Sequence, residues 1–434
     1  MIRFIHAADI HLDSPMRGID SSVAKIDPVV YRESTRIAFR NLIDYANNAN
    51  IDFLTLGGDN YDGNWDNYET GLYFQGQIAR LGKIPVVSIS GNHDAASKIT
   101  MRLHMPGNFT MLDNEKPQVI EVIPGVRIAG QGFRDQMESR NLVEKYPPLD
   151  GSGIKIGLLH TSLDGREGHA RYAPCQLDDL RLRHYHFWGL GHIHKHSWEE
   201  RHGDPPILFP GNLQGRHIRE TGPKGAWLIT MNDDGQCIGR EFLKFDVTRW
   251  DLIEVSINHM ENIDDFFKLC EREFTRRNLD QPDKIMAVRV RITGRSELHH
   301  TLLAMREMRD NALLANMQSA ATNAAPERIW VEKVELASGL PEISQRLKPA
   351  ALTFLQDFIN DSVLESGWVE KYLASEEISR LRQNIGYFAE PDTVNELAQN
   401  FNPDVIRELI TEIPEILEMK LGRSQTDEIQ EEEK

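Results

Sequence analysis

The sequence has little of three things: cysteine, long apolar runs and positive charge. Three cysteines are too few and too scattered for a disulfide framework, and their number is odd, so we expect reduced thiols and a cytoplasmic protein. No stretch approaches the roughly 20 apolar residues of a membrane span, and Asp9 precedes any apolar segment typical of a signal peptide. We therefore expect no membrane association. The cysteines are Cys175, Cys237 and Cys270.

Positive charge is scarce, with 49 Lys and Arg against 66 Asp and Glu in 434 residues and a net charge of −17. Taken whole, this argues against nucleic-acid binding through basicity alone. The charge is unevenly distributed, however. Residues 1–245 have 27 basic and 30 acidic side chains, which gives a charge of −3, and they contain 13 of the 16 histidines. Residues 246–434 have 22 basic and 36 acidic side chains, which gives a charge of −14. The histidines and the acidity belong to different parts of the chain.

Short apolar runs alternate with helical patterns up to residue 245, which predicts a layered α/β domain. The predicted strands are Ile2–Ala8, Asp52–Leu56, Pro85–Ser90, Gly125–Ala129, Ile154–Leu159 and Tyr185–Leu190, and the predicted helices include Tyr31–Ala49 and Glu69–Leu81.

A second block has a β-α-β-α-β pattern, which predicts a small sheet with two helices packed on it. Its predicted elements are strand Leu252–Ile257, helix Asn262–Arg276, strand Ile285–Ile292, helix Ser296–Met317 and strand Ile329–Leu336. After Pro341 the sequence predicts helices only, near 349–364, 366–386 and 391–421. We therefore expect three regions, 1–248, 249–340 and 341–434.

Polar side chains of the metal-binding type follow five of the predicted strands. Because parallel strands bring their carboxyl ends to one edge of a sheet, we expect these side chains to converge. Each motif alone is more typical of a turn or a buried strand end, but five in this order are hard to obtain by chance. Mixed oxygen and imidazole donors without a thiolate favour two divalent cations over a structural zinc, and such a pair supports phosphoester hydrolysis. The residues are Asp9, His11, Asp59, Asn92, His93, Asp94, His160, His192 and His194.

The motifs D-x-H, G-D, G-N-H-D, H and G-H-x-H, in this order, resemble those of the calcineurin-like metallophosphoesterase superfamily. The segments AADIHLDSP, HTSLDGREGHARYAPC, WGLGHIHKH and PGNLQGRHIRETGPKG are similar to bacterial DNA-repair exonucleases of the SbcD type, especially the YhaO-like branch. The resemblance covers residues 1–340. It implies a four-layer sandwich, two mixed β-sheets flanked by helices, with a small α+β capping domain and a helical C-terminal tail.

The resemblance also implies roles for the motif residues. His93 would stabilise the transition state or protonate the leaving oxygen, and Asp94 would pair with it and keep it cationic. The expected ions are two Mn²⁺. Where these nucleases read G-D-L-F-D, this chain reads G-D-N-Y-D, which keeps both acidic residues, Asp59 and Asp62. One ion would bind Asp9, His11, Asp59 and His194, and the other Asp59, Asn92, His160 and His192, so that Asp59 bridges.

Several cationic and aromatic residues outside the motifs have two interpretations each. The loop Pro210–Gly225 either brings cations to a phosphodiester or is a solvated, glycine-rich connection. Alternating arginines near strand Ile285–Ile292 either face phosphates or face solvent. The candidate substrate contacts are Arg216, His217, Arg219 and Lys224 in the loop, with Trp65, Arg166, His169, Arg171, Arg289, Arg291 and Arg295 as weaker candidates.

These features favour a divalent-metal-dependent DNA exonuclease or endonuclease. In the family such enzymes work in DNA repair with an SMC-like ATPase of the SbcC or YhaN type, and a homodimer is also expected. The alternatives are a small-molecule phosphodiesterase or nucleotidase, or a non-catalytic scaffold subunit. An apolar stripe in the tail either docks on the ATPase or packs on the chain itself. It consists of Val405, Ile406, Leu409, Ile410, Ile413, Ile416, Leu417 and Leu421.

Overall fold

The computed structural model describes most of the first 341 residues and short parts of the tail. The described part divides into two units, the first of Met1–Val255, Asp264–Ile292 and Met308–Leu336, and the second of Ser256–Ile263, Thr293–Glu307 and what is described from Ala337 onward. The predicted division into three regions stays a prediction. The described residues are 1–16, 28–62, 68–96, 104–148, 151–163, 172–308, 311–341, 357–364, 367–375, 403–404 and 406–413.

Two six-stranded sheets form the part of the chain that contains the metal-binding motifs. Their strands are β1 (Ile2–Ala7), β2 (Phe53–Leu56), β3 (Val86–Ser88), β4 (Phe109–Met111), β5 (Gln118–Ile123), β6 (Val126–Gln131), β7 (Ile154–His160), β8 (Phe187–Gly191), β9 (Ser197–Glu199), β10 (Ile207–Phe209), β11 (Gly225–Met231) and β12 (Cys237–Lys244). The strand orders are β12-β11-β1-β2-β3-β4 and β5-β6-β7-β8-β10-β9. In each sheet four neighbouring strands run parallel, and the remaining strands pair antiparallel, so both sheets are mixed.

Alternation along β1 sends successive side chains to two different cores. Phe4 stacks on Phe53 of β2 with ring centroids 4.8 Å apart and meets Phe187 of β8 edge-on at 5.3 Å, so it lies between the two sheets. Its neighbour Ile5 belongs to another core, which contains Phe39 and covers the outer face of the first sheet. The helices in that layer are α1 (Pro28–Asn48) and α2 (Tyr68–Arg80), and a short α3 (Asn92–Ala96) follows β3.

Short helices cover the outer face of the second sheet. Trp188 of β8 shares a core with Val143 of a 3-10 helix, Leu142–Lys145, and with Leu180 of α4 (Leu177–Arg181). The Trp188 indole N–H donates to the carbonyl of Leu180 at 3.1 Å. The layers are therefore helices, sheet, sheet and helices, which confirms the predicted four-layer sandwich.

The second block forms a three-stranded sheet of order β13-β14-β15. One predicted element is wrong here: the single helix Ser296–Met317 is two helices. The first ends at Glu307, and the second has its own N-cap, Asn311, whose side chain accepts from the Leu314 N–H at 3.3 Å. The elements are β13 (Thr248–Ser256), α5 (Ile263–Asp280), β14 (Ile285–Arg295), α6 (Leu298–Glu307), α7 (Ala312–Ala324) and β15 (Ile329–Gly339).

The predicted tail is described only in part. It contains a π-helical turn, Ile359–Leu364, then α8 (Trp368–Leu373) and helical residues 403–404 and 406–413. The remainder of the predicted segments 349–364, 366–386 and 391–421 lies outside the described residues. Within the described ranges, no helix is long and apolar enough to cross a membrane.

Candidate metal centre

Residues that follow five strands come together at one place in the first unit. In one group, ligand atoms of Asp9, His11 and His194 all lie within 4.8 Å of one another. In a second group, ligand atoms of Asp59, His160 and His192 do the same. The first group combines residues from the carboxyl ends of β1 and β8, and the second combines residues from those of β2, β7 and β8. The carboxyl ends of strands from both sheets therefore converge, as the sequence predicts.

Asp59 belongs to the second group and also lies close to the first. Its Oδ2 is 3.8 Å from His11 Nε2 and 3.4 Å from His160 Nε2. Its Oδ1 accepts the backbone N–H of His93 at 2.8 Å, which fixes the carboxylate plane. One carboxylate oxygen is thus near an imidazole of each group, the geometry that a bridging ligand needs.

Asp9 and Asn92 supply the remaining oxygens. Both carboxylate oxygens of Asp9 accept the His192 N–H at 3.0 Å, and Oδ1 is 3.9 Å from His194 Nε2. Burial raises the pKa of Asp9 to about 6, so this carboxylate needs nearby positive charge to ionise fully. Asn92 Oδ1 lies 3.1 Å from His160 Nε2 and adds a neutral oxygen to the second group.

Three imidazoles use Nδ1 for hydrogen bonds inside the protein. His11 Nδ1 is 3.3 Å from Asp62 Oδ1, and His160 Nδ1 is 2.9 Å from the carbonyl oxygen of Gly57. His194 Nδ1 is 2.6 Å from Glu220 Oε1. An acceptor at Nδ1 holds the proton there and leaves the Nε2 lone pair for a metal, so these contacts orient all three rings for binding.

The backbone around the ligands is strained and tightly packed. Asp9, His11, Asp59 and His192 have φ of 50°, 43°, 52° and 99°, a region that non-glycine residues seldom adopt. A Cβ at Gly91 would meet Asp59 Oδ1 and lie 2.7 Å from His160 Cε1. Strain of this kind persists only where the surrounding structure imposes it, and it is common at functional sites.

The residues present fit two divalent ions. His11 Nε2 and His194 Nε2 are 3.2 Å apart with both Nδ1 atoms already engaged, so two nitrogens with available lone pairs lie close enough to bind one cation. The donors are carboxylate, amide and imidazole without thiolate, the set that suits Mn, Fe or Zn at a hydrolytic site. Asp9, His11, Asp59 and His194 would hold one ion, and Asp59, Asn92, His160 and His192 the other.

The predicted pair of Asp94 with His93 is wrong. Asp94 lies in the first turn of α3, where its side chain turns back to accept the N–H groups of Tyr61 and Gly91, each at 3.0 Å. The carboxylate beside His93 is Asp62, whose Oδ1 is 3.2 Å from His93 Nδ1. Burial lowers the pKa of His93, but the hydrogen bond with Asp62 and the charge of Asp59 outweigh it, so the net shift is upward.

The four loop residues predicted as substrate contacts divide into two pairs. Arg216 lies 3.5 Å from Asp62 and 3.4 Å from Glu220, and Lys224 donates to the backbone carbonyl of His194 at 3.0 Å, so both cations make contacts inside the protein. Burial lowers the pKa of Lys224. His217 and Arg219 lie nearer the surface, with the His217 side chain 32 % exposed.

Three of the weaker substrate candidates are described, and each contacts a group of the second block. Arg289 forms a two-pronged ion pair with Glu332, at 2.7 and 2.8 Å, and contacts Glu335 at 2.9 Å. Arg295 donates to the carbonyl of Leu340 at 3.0 Å. Arg291 lies 3.8 Å from Glu254, while Trp65, Arg166, His169 and Arg171 lie outside the described residues.

Two acidic residues at the site were not assigned roles from the sequence. Asp62 contacts both His11 and His93, and the signal for it is the retained G-D-x-x-D spacing. Glu220 contacts His194, and its only signal is that it is the one carboxylate in the loop Pro210–Gly225. Both are partners of ligands rather than strand-end residues.

Comparisons with known proteins agree with this geometry. The calcineurin-like phosphoesterase family matches residues 2–224, more than half of the chain. The middle domain of metallophosphoesterase YhaO matches residues 250–339. The chain belongs to the calcineurin-like metallophosphoesterase family, in its YhaO-like branch.

Individual relatives point the same way. The uncharacterised metallophosphoesterase YhaO of Bacillus subtilis (strain 168) is 34 % identical over 282 residues, which are 63 % of this chain and 68 % of that protein. The DNA double-strand break repair protein Mre11 of Methanopyrus kandleri is 20 % identical over 285 residues, 59 % of this chain and 60 % of that protein. This chain thus spans less than two thirds of the relative from Methanopyrus kandleri.

The chain is also similar to a solved structure. A dimetal phosphatase from Danio rerio overlaps 56 % of this chain and 97 % of its own, at 12 % identity and a TM-score of 0.35.

Proposed function

We propose that this metallophosphoesterase hydrolyses DNA phosphodiester bonds with two Mn²⁺ ions, as an exonuclease or endonuclease of DNA repair. The observation that carries the proposal is the position of Asp59, whose Oδ2 is within 3.8 Å of imidazoles from both ligand groups. Two metal ions held close together by a shared carboxylate could stabilise both the attacking and the leaving oxygen of an in-line displacement.

In this proposal His93 acts as the general acid. When bound, the ions would lower the pKa of a water and neutralise charge on the phosphoester. The side chain of His93 is 34 % exposed, and Asp62 holds its Nδ1, so Nε2 is left to donate a proton to the departing oxygen. Burial raises the pKa of Asp62, but its hydrogen bonds with His11 and His93 and the charge of the Arg216 guanidinium at 3.5 Å outweigh burial, so the net shift is downward and the carboxylate stays ionised.

Three observations favour DNA over a smaller substrate. Two divalent ions would turn the charge of −3 on residues 1–245 net positive, which favours approach of a polyanion. The chain has a second block and a tail that a minimal small-molecule enzyme does not need. The relative from Methanopyrus kandleri bears the name of a DNA double-strand break repair protein.

A second candidate is a small-molecule phosphodiesterase or nucleotidase. A cavity of about 430 Å³ next to α3 favours it, because this volume is sufficient for a nucleotide-sized ligand. Tyr61, Phe74, Asp94 and Phe133 are among its lining residues, and the Phe133 ring lies edge-on to that of His160 with centroids 5.4 Å apart.

One assay separates the candidates. Purified protein with Mn²⁺ is given linear duplex DNA, hairpin DNA and bis(p-nitrophenyl) phosphate, with Asp59→Asn as the matched inactive variant. We expect wild type to cleave DNA and the variant to cleave nothing. Turnover of the generic diester with untouched DNA would identify a small-molecule enzyme, and no turnover of any substrate would identify a scaffold subunit.

We further propose that the tail binds an SMC-like ATPase. Part of its apolar stripe packs within the tail: Ile406 and Ile410 lie against Val369 and Leu373 of α8. Other apolar side chains on these helices remain exposed, which favours docking on a partner helix. They are Trp368 and Tyr372, whose rings stack at 5.0 Å, with Leu409 and Ile413.

A further inference from the structure

The loop between β10 and β11 contacts the ligand His194 at both its backbone and its ring. Asn212 N–H and Lys224 Nζ donate to the His194 carbonyl at 3.3 and 3.0 Å. At the ring, Glu220 Oε1 lies 2.6 Å from Nδ1, and an Arg216 nitrogen lies 3.4 Å from the same atom. A loop that the sequence suggested for substrate therefore surrounds one metal ligand.

Glu220 is itself held from several directions. Its Oε2 accepts from the Asn212 side-chain amide at 2.9 Å and from the Arg216 backbone N–H at 2.7 Å. On the other side, the Arg216 guanidinium and His217 Nε2 each lie 3.4 Å from Oε1. Glu220 is 5 % exposed, so its carboxylate has a fixed position before any ion binds.

The contact of 2.6 Å decides which nitrogen of His194 carries the proton. A neutral imidazole has one donor and one acceptor nitrogen, and a carboxylate at Nδ1 requires the proton there. The lone pair is then on Nε2, which faces His11 Nε2 at 3.2 Å and Asp9 Oδ1 at 3.9 Å. The opposite tautomer would place a proton where the ion must bind.

We propose that Glu220 is a positioning residue that holds His194 in its metal-binding tautomer, and thereby sets the affinity of one of the two ions. The proposal rests on the metal-binding part of the proposed function and not on the substrate. Glu220 is not among the ligands assigned to either ion, and in this proposal it acts through His194 alone.

The isosteric variant Glu220→Gln tests this tautomer argument. Asn212 and the Arg216 N–H are both donors, so the glutamine oxygen must face them and its NH₂ group must face His194. An NH₂ group donates to Nδ1 and leaves the imidazole proton on Nε2. The substitution changes the hydrogen-bond polarity at one atom and keeps the side-chain volume.

The experiment uses the full chain, treated with a chelator, at about pH 8, where free imidazoles are neutral. ¹⁵N NMR of histidine-labelled protein reports the His194 tautomer, with the signal assigned by His194→Gln. Mn²⁺ titration then reports both affinities. The control is Glu241→Gln, the same substitution at an exposed position of β12.

We expect the Nδ1–H tautomer in wild type and in Glu241→Gln, and the Nε2–H tautomer in Glu220→Gln. We also expect Glu220→Gln to bind one ion about 10–100-fold more weakly, the usual cost of losing such a partner, and the other ion as before. An unchanged tautomer with both affinities intact would overturn the proposal. So would equal weakening of both ions together with a lower melting temperature, because Glu220 would then only support the loop.

Arg216→Gln keeps the test decisive if Glu220→Gln fails to fold. It leaves the carboxylate in place, and we expect the Nδ1–H tautomer to persist. A change to the Nε2–H tautomer in that variant would mean that Arg216, and not Glu220, determines the tautomer of His194, and it would overturn the proposal. Neither measurement uses a substrate, so a failed DNA assay and a failed tautomer test are independent results.

Discussion

At the scale of single residues, the sequence predicts the positions of the metal ligands better than it predicts the residues that form hydrogen bonds with them. The seven predicted ligands lie together because each lies at or just after the carboxyl end of a strand, and parallel strands bring these ends to the same side of a sheet. The acceptors that orient the imidazoles could not be predicted, because they depend on the path of loops. Asp94 is next to His93 in sequence yet faces Gly91, whereas Asp62, far away in sequence, contacts His93.

Replacing His93 by Ala should remove the proton donor and none of the predicted ligands. We expect about 10²–10⁴-fold slower hydrolysis, the usual contribution of a general acid. Metal analysis after desalting should still find two ions per chain, as in wild type. A normal rate would show that the leaving oxygen takes its proton elsewhere.

His6 of β1 should make stability depend on pH. It is buried with Nε2 2.9 Å from the Leu190 carbonyl oxygen, and burial lowers its pKa to about 4. The unfolded chain therefore takes up a proton near pH 6.5 that the folded chain does not. The free energy of unfolding is highest above that pH and decreases as the pH falls below it.

Urea unfolding of metal-free protein at pH 7.5 and 5 measures this effect. Between pH 7.5 and pH 5, the free energy of unfolding of wild type should decrease by about 2 kcal/mol more than that of His6→Gln, because one proton contributes about 1.4 kcal/mol per pH unit. Equal losses would mean that His6 is protonated in the folded protein.

At the scale of elements, the strands that lead into the metal-binding motifs were predictable, whereas β4, β5 and β9 to β12 and one helix boundary were not. Buried parallel strands are continuous apolar runs bounded by polar residues, and this pattern located β1, β2, β3, β7 and β8 within a few residues. The helical periodicity of Ser296–Met317 continues through a break at Asn311, whose φ is 46°. A single left-handed residue leaves no trace in periodicity.

The turn after β3 should tolerate no side chain. In Gly91→Ala the new methyl group would meet Asp59 Oδ1 and His160, so we expect loss of metal binding in a folded protein. The control is Gly76→Ala in α2, where nothing lies within 4 Å of the added carbon. That variant should bind metal normally and gain about 0.5–1 kcal/mol of stability. Metal binding by Gly91→Ala at wild-type affinity would refute the close packing described.

At the scale of the whole molecule, acidity and metal-binding residues are separated along the chain. The charge of −14 lies in residues 246–434, and that of −3 in the part that contains every predicted ligand. A net charge of −17 therefore does not oppose a DNA substrate.

Deleting residues 391–434 should abolish capture of a co-expressed SMC-like ATPase while sparing cleavage of short substrates. A more conservative variant replaces the exposed Leu409 and Ile413 by Asp and keeps Ile406 and Ile410, which pack against α8. We expect both variants to lose the partner. Unchanged co-purification would assign the docking surface to another part of the chain.

The central claim is that Asp59 joins two metal ions in one centre. Electron paramagnetic resonance of protein loaded with two equivalents of Mn²⁺ tests it most directly, because ions that share a carboxylate are magnetically coupled. We predict the spectrum of a coupled pair in wild type and of isolated ions in Asp59→Asn. A wild-type spectrum of two isolated Mn²⁺ ions would contradict the account.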